Sequence, residues 1–290
     1  MSSQVSHNVR RNYALIIAAG ICFGTTGTTQ ALGPDGISSL AIGSARLMVG
    51  ALFLYLYVKL SKTVSSIIPK LALWLSALGI LSYQLTFFSA VKQTGVAIGT
   101  VTALGSVPAL TGLLDYLIYK VKPSKRWFIA TIITTAGIIT LGTANGVSDF
   151  DLGGFILAII AGASFGLLAV SSKQALSTGV DSTYLMFKVF ALAALISTPV
   201  LLINGTDWLA TAGGATMIIW LGLIPTALAY ILYAKGLKGV APGVASTLIL
   251  AEPATATILA AVVLNESINL QGWAGIATVA IGLFYLSREA

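Results

Sequence analysis

Charge, histidine and cysteine are all scarce in this chain. Of its 290 residues only 9% are Asp, Glu, Lys or Arg, against about 25% in a typical soluble domain, which argues against a water-soluble enzyme. The one histidine, His7, sits in a polar N-terminal stretch and the one cysteine, Cys22, in an apolar run. Two such residues assemble neither a disulfide framework nor a His/Cys metal site, so no metal is expected. No G-x-x-x-x-G-K-[ST] phosphate loop occurs, which removes ATP as a direct energy source. Gly162-Ala163-Ser164-Phe165-Gly166 formally matches a G-x-S-x-G nucleophile elbow. That elbow needs a strand-to-helix turn and a histidine partner, and this match lies inside an apolar run. The chain therefore reads as a non-enzyme, with no catalytic residue and no cofactor.

What the chain has is hydrophobicity: 57% hydrophobic residues and a mean hydropathy of +0.93. Apolar stretches run from Tyr13 to Leu32, Ile37 to Val58, Leu71 to Ala90, Gly95 to Tyr119 and Trp127 to Ala144. Five more follow, from Gly153 to Leu176, Tyr184 to Ile203, Ala215 to Lys235, Ala241 to Leu264 and Leu270 to Leu286. A bilayer core about 30 Å thick takes about 20 helical residues per crossing, so ten crossings consume most of the chain and leave no room for an aqueous domain. The runs are continuous rather than alternating, so helices and not a β-barrel are expected. Although Arg10 and Arg11 precede the first run, it is longer than a signal-peptide core and another span follows at once. It reads as a retained helix.

The net charge of +7 is explained by topology. Arg10, Arg11, Lys59, Lys62, Lys70, Lys120, Lys122, Lys125, Arg126, Lys173, Lys235, Lys238 and Arg288 all fall at ends that share one side of a ten-helix path, and only Lys92 falls on the other. The opposite side carries Asp35, Asp149, Asp151, Asp207 and Glu266. By the positive-inside rule both termini are cytoplasmic, and no nucleic-acid partner is needed to account for the cations.

An internal repeat is also legible. Gly20, Phe23, Gly24 and Arg46 recur 142 residues later as Gly162, Phe165, Gly166 and Lys188. Gly95 and Gly99 match Gly239 and Gly243 at a spacing of 144, while Pro108 matches Pro253 and Gly137 matches Gly282 at 145. An ordered set whose spacing drifts by only three residues, as loop insertions allow, marks a unit used twice: a tail over residues 1–12, a first five-helix unit over 13–144 and a second over 153–288. An odd number of helices per unit inverts the second relative to the first, an arrangement suited to alternating access.

These features resemble the drug/metabolite transporter superfamily, EamA type. The resemblance rests on the spans, Arg46 in the second helix, the Ile224-Pro225-Thr226-Ala227-Leu228-Ala229-Tyr230 stretch, Glu252-Pro253 in the ninth helix and Glu266 at its outer end. It implies an all-α integral membrane protein of ten transmembrane helices in two inverted five-helix repeats. It further implies a central cavity and the movement of a small organic metabolite, an amino acid or related compound, commonly as export. The first half departs from the pattern by carrying Val107-Pro108 where the second has Glu252-Pro253. The compartment expected is the plasma membrane, in a bacterium the inner membrane.

Ionisable groups within spans cost about 2.5–3.5 kcal/mol on insertion scales and therefore face a partner or a cavity. Arg46 suits a carboxylate through its planar fork, with anchorage to helix carbonyls or to Glu252 as the alternative. Lys188 is a solute-binding candidate, with snorkelling to the nearby helix end as the alternative, and Asp115 can pair with the nearby lysines. Glu252 is the candidate for proton coupling, as a carboxyl buried in a span beside Pro253, which leaves the Ile249 carbonyl without its helical donor; pairing with Arg46 or capping of the broken backbone is the alternative. Polar residues add Thr25, Thr28 and Gln30 in the first helix, Tyr83 and Gln84 in the third, Thr102 and Ser106 in the fourth, Ser172 in the sixth and Tyr230 in the eighth as solute-binding candidates. A channel or facilitator is the competing reading, but it calls for a continuous polar stripe, and here the polar residues cluster. Small-xxx-small pairs such as Gly20/Gly24 build close helix contacts within the chain, with a homodimer interface as the alternative.

Overall fold

A computed structural model describes residues 2–144 and 151–288; Asp149 lies outside them. Every regular element among the described residues is helical. In chain order these are α1 (Ser2–Ala31), α2 (Ser39–Leu60), α3 (Lys70–Tyr119), α4 (Lys125–Gly142), α5 (Leu152–Ser177), α6 (Ser182–Ile203), α7 (Ala212–Gly222), α8 (Ala229–Leu237), α9 (Pro242–Leu248), α10 (Ala251–Val263) and α11 (Leu270–Ser287). A single 3₁₀ turn, Asp207–Ala210, precedes α7, and a π-helical stretch, Leu223–Leu228, joins α7 to α8. Polar caps set several starts. The side chains of Ser124, Asp151, Asp181, Thr211 and Asn269 each accept a backbone N–H from the first turn of the helix that follows, which satisfies donors that a helix start leaves unpaired.

The chain is an all-α integral membrane protein. Nine described stretches are long and apolar enough to cross a bilayer, among them Lys70–Gly95, Ile98–Tyr119, Ala212–Leu237 and Pro242–Val263. Ten were expected. The remaining helix, α4, has 18 residues and opens on Lys125 and Arg126, so cations occupy a length already minimal for a span. It packs all the same along α11, where Gly137 meets Val279 and Gly275 meets Leu141 with no space for side chains. The first helix, α1, begins already at Ser2, ahead of the stretch Asn8–Ala31 that is apolar enough to cross.

Two spans fuse into α3 around Gly95, whose φ of 80° and ψ of 163° lie in a region open essentially to glycine. The chain reverses there. Along its first arm Ser76 meets Ser172 and Gly79 meets Ser164 and Leu168, so α5 runs antiparallel to it. Along the second arm Gly162 meets Ala103 and Ser106, and Gly166 meets Thr111, so α5 runs parallel. The glycine pairs thus serve contacts within the chain. Gly20 and Gly24 likewise bring α1 against Ile249, Glu252 and Thr255.

End-to-end contacts sort the helix termini onto two faces. The start of α1 meets the end of α8 where Asn12 abuts Gly236 and Gly239. Tyr119 bonds to the Val170 carbonyl, Lys235 sits over the Tyr57 ring, and Arg126 sits over Tyr285. On the other face Ser38 bonds to Asn204, Pro34 abuts Gly213, and Gln271 bonds to Thr140 and Thr143. The first face gathers the cations assigned to one side by sequence, and we call it the cationic face. Asp35, Asp151, Asp207 and Glu266 belong to the second. Accordingly α1 starts at the cationic face and α5 at the opposite one.

Candidate functional site

At mid-span two helices are interrupted, and both interruptions involve proline. Pro225 lies in the π-helical stretch, where its missing N–H leaves the Leu221 carbonyl without its ordinary helical donor. The Thr226 hydroxyl supplies a substitute at 2.7 Å. The ninth span breaks between α9 and α10, at Ile249 and Leu250. The Ile249 carbonyl, which Pro253 cannot serve, accepts the Glu252 N–H at 2.9 Å. The carbonyl that sequence leaves free is therefore satisfied by a tighter turn. Glu252 begins α10 at this break and makes no side-chain hydrogen bond among the described residues.

Arg46 reaches the first interruption from α2. Its Nε donates to Thr226 Oγ1 at 2.9 Å and its Nη2 to the Pro225 carbonyl at 3.0 Å. The guanidinium is buried, and these bonds use two of its five N–H donors. The anchoring role that sequence offered as an alternative is present, yet donors remain. Arg46, Glu252, Tyr83 and Tyr230 lie within electrostatic range of one another.

Rings enclose this group. Tyr230 packs against Phe23 at 4.9 Å and Phe190 at 4.5 Å between centroids. Tyr83 meets Phe87 and Phe165 at 5.5 Å each, and Phe165 meets Tyr233 at 5.8 Å. Offset and edge-on ring pairs of this kind contribute about 0.5–1.5 kcal/mol each beyond burial, so the enclosure is held in a fixed shape. Phe23, Arg46 and Tyr83 come from the first half of the chain; Phe165, Phe190, Thr226, Tyr230 and Glu252 come from the second.

The other candidates scatter. Gln84 on α3 is buried beside Phe88 and beside Ser44 and Leu47, which flank Arg46 on α2. Thr25 donates to the Cys22 carbonyl and accepts from Trp220 Nε1, and the buried Thr28 hydroxyl has no partner among the described residues. With the half-buried Gln30 they continue α1 from the Glu252 level toward the face opposite the cations. Thr102 is half-buried on the second arm of α3. Ser106 returns its hydrogen bond to Ala103 and packs under Gly162, while Ser172 bonds to Ser76; both lie in the α3–α5 interface, outside the ring enclosure. Lys188 stays on its own helix, its ammonium 5.5 Å from the Tyr184 ring centre and 5.3 Å from that of Phe187. Phe165 and Phe190 were not singled out as site residues. The match of Phe23 to Phe165 within the repeated glycine pattern was the signal that marks one of them.

Known proteins share this architecture. The family model described as the EamA-like transporter family matches residues 10–143 and again residues 152–288. The Uncharacterized transporter YwfM of Bacillus subtilis (strain 168) is 37% identical over 276 residues, covering 94% of this chain and 92% of its own. The Uncharacterized transporter YetK of the same organism is 26% identical over 204 residues, covering 66% of this chain and 59% of its own. A solved crystal structure, 17% identical, superposes with a TM-score of 0.82 over 96% of this chain and 98% of that one; at that identity the likeness concerns the fold.

Proposed function

The chain belongs to the EamA-like transporter family, and on that premise we propose that it is a secondary carrier that exports a small organic metabolite, an amino acid or related compound, by alternating access. Its membrane is the plasma membrane, with the cationic face and both termini in the cytoplasm, as the positive-inside rule requires. The observation that carries the reading is the enclosure formed between the two halves. There, Arg46 with unused donors and the unbonded Glu252 carboxylate stand inside a wall of rings, beside two interrupted helices. Groups of opposite charge at one site suit a zwitterion, with the solute carboxylate on Arg46 and its ammonium on Glu252. Interrupted spans at midmembrane are where carriers of inverted-repeat design place their sites, and the opposite starting faces of α1 and α5 fit two inverted halves.

Export follows the family resemblance. Glu252 serves as the proton-coupling group in this scheme, loading a proton in one state and the solute ammonium in the other. A thermal-shift screen of amino acids, amines, nucleobases and organic acids on the purified protein tests the solute class, because a ligand stabilises the state it binds. Amino acids raise the melting temperature of the wild type and not that of Arg46→Gln. Stabilisation by amines or nucleobases alone would contradict the assignment.

A further inference from the structure

Toward the cationic face the ring enclosure ends on a tyrosine. Tyr233 lies one helical turn beyond Tyr230 on α8, nearer the end of that helix. Its ring meets Phe165 and Tyr230 edge-on, at 5.8 and 6.2 Å between centroids, and the residue is fully buried. The neighbouring helices are packed as tightly toward this face. Leu168, one turn past Phe165 on α5, and Ile16, which meets Gly236 from α1, are also fully buried. Elsewhere around the enclosure Tyr83 and Glu252 are only half-buried. The floor at Tyr233 is thus the closed end.

The Tyr233 hydroxyl has no hydrogen-bond partner among the described residues. A buried donor without a partner bears the full cost of its lost hydration, and within a membrane span no water relieves it. Serine and threonine avoid this by bonding a carbonyl one turn back, as Thr134, Ser164 and Ser246 do. A phenol carries its hydroxyl at the far end of a rigid ring and cannot. Of the other two such groups among the described residues, Thr28 can turn to its own helix, and Trp127 borders a cavity of about 290 Å³ near the cationic face. Phenylalanine would fill the place of Tyr233 with the same ring contacts and no such cost. A hydroxyl that only weakens the closed arrangement has its use where that arrangement is broken.

We propose that Tyr233 is the gate between the enclosure and the cationic face. Packed inward, its ring closes the floor; turned away, it opens the path and its hydroxyl meets water. Because the unpaired hydroxyl penalises the closed floor alone, it keeps the two arrangements close enough in free energy to exchange. The inference rests on the carrier reading above. It makes Tyr233 a positioning residue, which sets the balance between closed and open floors and does not bind the solute.

Removing the hydroxyl alone tests this, and no solute is needed. Tyr233→Phe melts about 2 °C or more above the wild type, whereas deleting a group with a purely structural bond would lower the melting temperature. The floor is timed separately. In a Cys22→Ser background, Leu168→Cys places a thiol at the buried floor, and its reaction with a hydrophilic maleimide is followed on the purified protein. Adding Tyr233→Phe slows labelling about tenfold, while Tyr233→Ala, which leaves the floor unfilled, speeds it. A control cysteine at the half-buried Thr25 changes little in either background. A Tyr233→Phe variant that melts at or below the wild type, or that labels as fast, overturns the gate. The melting comparison requires no cysteine and stands even if Leu168→Cys does not fold. Neither measurement reports on transport, so a failure here leaves the carrier reading intact, and solute binding and counterflow test that reading on their own.

Discussion

Arg46 and Glu252 are the residues on which the account bears hardest. Both were legible in the sequence, because an ionisable group in an apolar run must have a reason to be there. Their surroundings were less legible, since Pro225 and Thr226 lie about 180 positions from Arg46 and nothing in one sequence couples such positions. Hydroxyl residues are the least legible: Ser106 and Ser172 make hydrogen bonds within the α3–α5 packing, and serine has the same letter whether it lines a site or ties two helices together. Replacing Arg46 by Gln removes the two bonds to the interrupted helix, and it lowers stability by about 1.5–3 kcal/mol. Thermal unfolding measures that loss, and a binding titration shows a further weakening of about tenfold or more for the solute. Glu252→Gln gives a different signature. Solute exchange across vesicles persists but needs a higher solute concentration, because the ammonium loses its carboxylate partner, whereas accumulation driven by a pH gradient is lost; accumulation that survives assigns coupling to another group.

At the scale of elements, the informative features are the breaks. Proline positions flagged both interrupted spans, but not the form of the interruption, which depends on Thr226 and Glu252 supplying substitute hydrogen bonds. The reversal inside α3 shows the same limit. A sequence reading places a loop between Ala90 and Gly95, whereas the helix continues and turns on Gly95 alone. That turn invites a direct test. Gly95→Ala puts a Cβ where φ is 80° and should cost about 1–3 kcal/mol, seen as a lower melting temperature with the helical circular dichroism signal retained. A variant as stable as the wild type would mean that the reversal is made differently.

For the whole molecule, composition alone dictates an all-helical membrane bundle, and the alternation of faces along the chain distributes the charges. That pattern was readable because lysine and arginine mark sides regardless of packing. The contacts place those ends together, from Asn12 against Gly239 to Arg126 over Tyr285. The order of helices around the enclosure was not readable. It arises from glycine surfaces, such as Gly137 against Val279, whose partners only the folded chain identifies. The opposite charges of Arg46 and Glu252 at mid-span acquire meaning only if one solute passes between the halves, one state at a time. Counterflow in proteoliposomes tests that most directly. Purified protein preloaded with an unlabelled amino acid that stabilises it should take up the labelled form transiently, with a rate that saturates and is lost in Arg46→Gln. Flux that rises linearly with concentration, or that needs no solute on the opposite side, would contradict a carrier and point to a pore.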